Sequence, residues 1–325
     1  MNYYDLGTYS RPVTTSSDAA QKWFDRGLIW TYAYHHEEAI ACFNNALKED
    51  GTCAMAHWGI AYAIGPNYNK PWEAFEDDEK PDALQQAQDA IAAAAALKDK
   101  VSTWERALIE ALPHRYPKDA SVDAYAPWND AYANAMREVH KAHADDLDVC
   151  CLFAEAIMNR TPWQLWDLPS GQPAEGADTL EAISGLEDAF DKLDGAWSHP
   201  GLLHMYIHLM EMSPHPEKAL RHGDALSTLV PDAGHLLHMA THIDVLCGDY
   251  QNVVSRNHTA ILADRKYLAR AGAENFYSVY RCHNYHFKIY GAMFLGQPTP
   301  ALETADELIA TLPKETLAPM ADWFV

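Results

Sequence analysis

The sequence predicts an all-α, tetratricopeptide-like solenoid of helical hairpins interrupted by two long loops. Apolar residues recur at three- and four-residue spacing through long stretches, such as Trp23 to Leu47, Ala83 to Leu97 and Tyr132 to His143. Strand signals are scarce. Small and aromatic residues return with the roughly 34-residue period of a helix-turn-helix repeat. With 325 residues, 48% of them hydrophobic, the chain can bury a large core, and its length suits either two compact domains or one elongated array. The period favours a single array over residues 1–325.

Residues 1–20 form an arm, MNYYDLGTYSRPVTTSS and the start of a helix, with no apolar segment of the kind a secretory signal needs. No later run approaches the roughly 18 uncharged apolar residues of a membrane span, so a cytoplasmic chain with no membrane contact is expected. The N-terminal repeats occupy residues 21–100. Trp23, Gly27 and Trp30 fall on a first helix and Ala39, Phe43 and Ala46 on a second, where small residues let the helices approach and large ones fill the gap. A second unit begins near Thr52 with Trp58, Gly59 and Tyr62. Its second helix is delayed to about Ala83 by an inserted loop over residues 65–80, GPNYNKPWEAFEDDEK. Residues 101–160 read as degenerate helical hairpins, and residues 161–178, TPWQLWDLPSGQPAEGAD, as a second long loop. Loops of this length inside a compact array are often functional.

Residues 179–325 carry the repeat again. Ala219 and Pro231 close one unit, Gly248 and Tyr250 mark the helix-to-helix turn of the next, and Gly296, Ala301 and Pro313 define a third. Equivalent places are therefore offset by 34 residues between the first two units and by 48 between the last two, the excess falling around LADRKYLARAGAEN.

That register bears on the 17 histidines. His204 with His208 and His238 with His242 are two HxxxH pairs in phase with the first offset, and the second offset carries His238 to His286 and His235 to His283. Residues 0, 4 and 7 places along a helix share one face, which sets His204, His208 and Glu211 together. Neighbouring helix axes lie about 8–10 Å apart, so imidazoles from two or three helices can converge on one ion. His204, His208, His238, His242, His286 and His283 are the expected ligands of a divalent metal. Zinc is the first choice, and iron, copper or manganese suit the same nitrogen and carboxylate donors. Glu211 is a further ligand or the catalytic base. The competing reading is a polar groove for an acidic or peptide ligand. His140 and His143 fall outside the register and read as surface or core residues.

The formal net charge of −22 and the absence of a Lys/Arg-rich run argue against nucleic-acid binding. Six cysteines without a CxxC pair support neither a thiolate zinc site nor a disulfide framework, and read as buried reduced thiols.

Several stretches together resemble a family of large tetratricopeptide-repeat proteins of bacteria and fungi. They are YDLGTYSRPVTTSS, WFDRGLIWTYAYHHEEAIACF, CAMAHWGIAYAIGPNYNKPW, RTPWQLWDLP, HPGLLHMYIHLME, GHLLHMATHIDVLCGDY and YRCHNYHFKIYGAMFLGQ. The resemblance places motif positions on His36, Glu38, Asn67, Asn69, Trp163, Trp166, His199, His204, His208, Glu211, His238, His242, His283, Asn284 and His286. His35 stands where relatives carry Asn, and many relatives continue beyond PMADWFV. The resemblance implies the fold and no established reaction.

The leading functional expectation is a metalloenzyme that hydrolyses or oxidises a small molecule, with His36, Glu38, Asn67, Asn69, Trp163, Trp166, Asn284 and Tyr290 lining its pocket. The alternatives are an interaction module for a peptide or protein partner, and metal storage or delivery. There is no GxSxG, phosphate loop or HExxH; in HMYIHLME the glutamate follows the second histidine.

Overall fold

The computed structural model describes residues 3–116 and 124–312. Pro313, expected to close the third C-terminal unit, and the ending PMADWFV lie outside these residues. Among the described residues the chain is all-α, with 14 α-helices and one two-stranded ribbon. Its contacts divide it into two compact units, residues 9–214 and residues 1–8 with 215–325.

The first unit contains α1 (Asp18–Tyr32), α2 (His36–Glu49), α3 (Ala54–Ile64), α4 (Glu79–Ala95), α5 (Thr103–Ala111), α6 (Ala126–Ala142), α7 (Leu147–Met158), α8 (Thr179–Lys192) and α9 (Pro200–Met210). Helix α1 starts where the Ser17 hydroxyl accepts the Ala20 N–H at 3.2 Å. α1 packs on α2, α2 on α3 and α3 on α4, as consecutive hairpins of a tetratricopeptide-like array should. The Phe43 ring on α2 is clamped between two glycines. A Cβ at Gly27 or at Gly59 would lie 2.6 Å from it. Gly27→Ala should therefore lower stability by about 1–2 kcal/mol despite the better helix propensity of alanine, because Phe43 has no room to yield. A shift in urea midpoint at unchanged slope would report it.

The two long loops are built rather than loose. In the first, the Asn67 side-chain oxygen accepts the N–H groups of Asn69 and Lys70, each at 2.9 Å, and Trp72 is buried beyond this turn. In the second, β1 (Trp166–Asp167) pairs antiparallel with β2 (Gln172–Pro173), Trp166 opposite Pro173. The ribbon lies within the expected long loop, and its two-residue strands leave no alternating pattern in the sequence.

One buried carboxylate ties the arm of this unit to its core. Asp148, on α7, accepts the Tyr9 hydroxyl at 2.8 Å and the Tyr32 hydroxyl at 2.5 Å, and lies 3.3 Å from the Arg11 guanidinium. His199 Nδ1 accepts the Leu202 N–H at 3.0 Å, capping α9, so its proton sits on Nε2, 3.2 Å from Asp148. His199, a motif position by resemblance, thus acts as cap and clasp.

The second unit contains α10 (Leu220–Leu226), α11 (Gly234–Leu246), α12 (Tyr250–Ala271), α13 (Ser278–Phe294) and α14 (Pro298–Thr311). Left-handed Gly248 (φ +79°) and Gly296 (φ +65°) end α11 and α13 two residues past their last turns, as the 48-residue offset expects. The extra residues of that offset mainly lengthen α12, to 22 residues. Five cysteines are buried, whereas Cys247, expected to be buried, is exposed at the end of α11. Among the described residues no helix is long and apolar enough to cross a membrane.

Candidate metal centre

In the second unit, His238 and His242 stand one turn apart on α11 and meet His283 from α13. His238 Nε2 and His242 Nε2 are 2.9 Å apart, and His283 Nε2 is 3.3 Å from His242 Nε2. Zinc–nitrogen bonds of about 2.0–2.1 Å imply edges of about 3.3–3.4 Å between ligand nitrogens in a tetrahedron, so three imidazoles stand close to ligating distance of one point. The Phe287 ring, 4.7–4.9 Å from all three imidazoles, closes one side with an apolar wall. His238 is fully buried, while His242 and His283 are half-buried.

The tautomer of His238 is fixed by a chain of bonds. The Asn257 amide nitrogen on α12 donates to Val253 O at 2.8 Å and to Thr241 Oγ1 at 3.1 Å, which leaves its Oδ1 as the acceptor facing His238 Nδ1 at 2.6 Å. His238 therefore carries its proton on Nδ1 and turns the Nε2 lone pair toward His242 and His283. This is the outer hydrogen bond that orients histidines in metal sites. Asn257→Ala should weaken zinc binding about 10–100-fold with the helices intact, measurable by competition with a chromophoric chelator.

Asn257 escaped the sequence reading. The available signal was a polar residue on the stripe Val253, Asn257, Ala260, Ile261 and Asp264, whose other small and apolar members face the core.

His286, expected as a ligand from the offset, is exposed and outside this group; His283, one turn away, takes the place. His235 is buried with its ring 4.6 Å from that of Tyr280. Asn284 is also buried and donates to Asp264 Oδ2 at 2.7 Å, and Tyr290 packs at the surface on Phe294, so neither lines this centre. Burial raises the Asp264 carboxyl to about 6, against the lowering effect of Asn284 and Tyr277.

His204 and His208 belong to the first unit, on α9. Their Nδ1 atoms lie 2.6 Å from Tyr32 O and 2.7 Å from Glu211 Oε1, so each proton faces an oxygen and each Nε2 is left as the lone-pair nitrogen. Glu211, read from the sequence as ligand or base, thus orients His208. Tyr68, missed in the sequence, packs 4.9 Å from His208; burial, then the nearby Glu211 charge, raises its hydroxyl well above the ordinary value.

Two other rings lean on His208, Tyr34 at 5.8 Å and Trp163 at 5.7 Å. These are the two non-glycine residues with left-handed backbones among the described residues, at φ +54° and +61°. Strain of this kind concentrates at ligand clamps and active sites.

Trp166 Nε1 donates to Leu209 O at 2.7 Å, fastening the ribbon to α9. The His36 imidazole is half-buried and held at about 3, first by burial and then by the Arg115 charge; the half-buried Glu38 follows it on the first turn of α2. Asn67 is committed to its turn, which also holds Asn69.

No family model matches the sequence, and no curated protein matches it. Among solved structures, the crystal structure of the APC/C hetero-tetramer Cut9-Hcn1 is similar over 92% of this chain at 15% identity, with a TM-score of 0.34. The alignment spans 54% of that longer chain, about half its length, and is too distant to bear on function.

Proposed function

We propose that the chain binds one divalent transition metal, zinc by first choice, through Nε2 of His238, His242 and His283. The supporting observation is the convergence of three Nε2 atoms, one with its lone pair fixed by Asn257. A single proton between His238 and His242 serves one lone pair, whereas a cation serves three. Three histidines leave a coordination position for water or substrate, the pattern of catalytic rather than structural zinc, and a metal there lowers the pKa of bound water. The finer reading is accordingly a metal-dependent hydrolase or oxidoreductase acting on a small molecule.

The fold class favours a second reading, since helical-hairpin arrays commonly bind protein partners. Reconstitution of metal-stripped protein with cobalt(II) separates the two. A visible d–d spectrum of a low-coordinate nitrogen site, absent in His242→Ala, supports the centre, and hydrolytic and oxygen-consumption assays on the loaded protein then test catalysis. A featureless spectrum from folded wild-type protein leaves the interaction module as the better account.

A further inference from the structure

The ribbon of the first unit frames a cavity of about 650 Å³, within the size range of small-molecule sites. Its walls include two indoles, Trp163 and Trp166, two carboxylates, Asp167 and Glu175, and the apolar Leu168 and Met212. No lysine, arginine or histidine is among its described lining residues. We infer that this cavity binds a small organic cation bearing an alkylated ammonium group.

Indole faces attract cations through their negative quadrupole, and a trimethylammonium group combines positive charge with an apolar surface that sheds little hydration. The carboxylates add charge of the matching sign, and the chain's net charge of −22 draws cations toward it. Both indoles are held before any ligand arrives. Trp166 is bonded to Leu209 O, and Trp163 packs 5.3 Å from Tyr68 in its left-handed backbone, 39% exposed toward solvent. Such preorganisation reduces the ordering cost of binding. The occupant is a free small molecule, because an open cavity of this size matches one. The inference is independent of the proposed metal centre, which belongs to the other unit.

The test is a ligand-observed NMR titration of the full chain with choline and with its neutral isostere 3,3-dimethylbutan-1-ol. Choline should saturate and bind at least tenfold more tightly than the alcohol. Asp167→Asn should reduce that preference threefold or more, and an asparagine oxygen can still accept the Ser170 N–H that Asp167 accepts at 3.2 Å. Trp163→Leu should weaken choline binding further, with circular dichroism confirming the fold. Equal binding of choline and alcohol, no saturation by choline, or an unchanged preference in Asp167→Asn would each overturn the inference. Retention on phosphatidylcholine vesicles that free choline fails to displace would also overturn it.

Discussion

Replacing His283 by alanine is expected to lower zinc affinity more than about 100-fold, while His286→Ala leaves it unchanged within about twofold. The first figure exceeds the roughly 10–100-fold cost of losing an outer hydrogen-bond partner, because a direct ligand is removed from a set of three. The second follows from the exposure of His286 outside the group formed by His238, His242 and His283. The pair is informative because the repeat offset makes both His283 and His286 expected ligands. Competition titration of both variants reads the difference, and equal losses would return the ligand role to the repeat register.

The second large effect is on stability. Asp148→Ala should destabilise the first unit by about 3–5 kcal/mol, the cost of breaking a buried charged network by removing one partner. Tyr9, Tyr32, Arg11 and His199 all direct polar groups at this carboxylate, and its loss strands the buried Tyr32 hydroxyl and His199 Nε2–H. Burial opposes the charge on Asp148, but the His199 hydrogen bond, the Arg11 charge and the Tyr32 hydrogen bond outweigh it and hold the carboxyl below the usual carboxylate range. A depressed folded-state value contributes stability that is present above the unfolded value of about 3.9 and lost as pH falls through the folded one. Urea midpoints of wild type and Asp148→Asn should therefore converge on acidification below about pH 4. A constant gap would show that the network does not depend on the charge.

Much of the fold was legible because helical periodicity and close-packing glycines are local signals. Gly27 and Phe43 announced a hairpin, and Gly248 and Gly296 fixed where α11 and α13 end. The histidine cluster was legible as residue types on α11 and α13. What the sequence withheld is rotational: which face of α13 turns toward α11 decides between His283 and His286, and packing through α12 sets that. Asn257 and Tyr68 were hidden for a related reason, since each meets its histidine across a contact distant in sequence. Asp148 gathers partners from the arm, α1 and α9, which no spacing rule connects.

In the proposed centre, three histidines of α11 and α13 hold one metal ion. Elemental analysis of the full chain, purified after expression in metal-replete medium without chelators, tests it most directly beside His238→Ala/His242→Ala/His283→Ala. About one equivalent of a divalent transition metal is expected in the wild type, with most of it lost in the folded triple variant. Wild-type protein that is folded and metal-free, or a triple variant that keeps its metal, would contradict it.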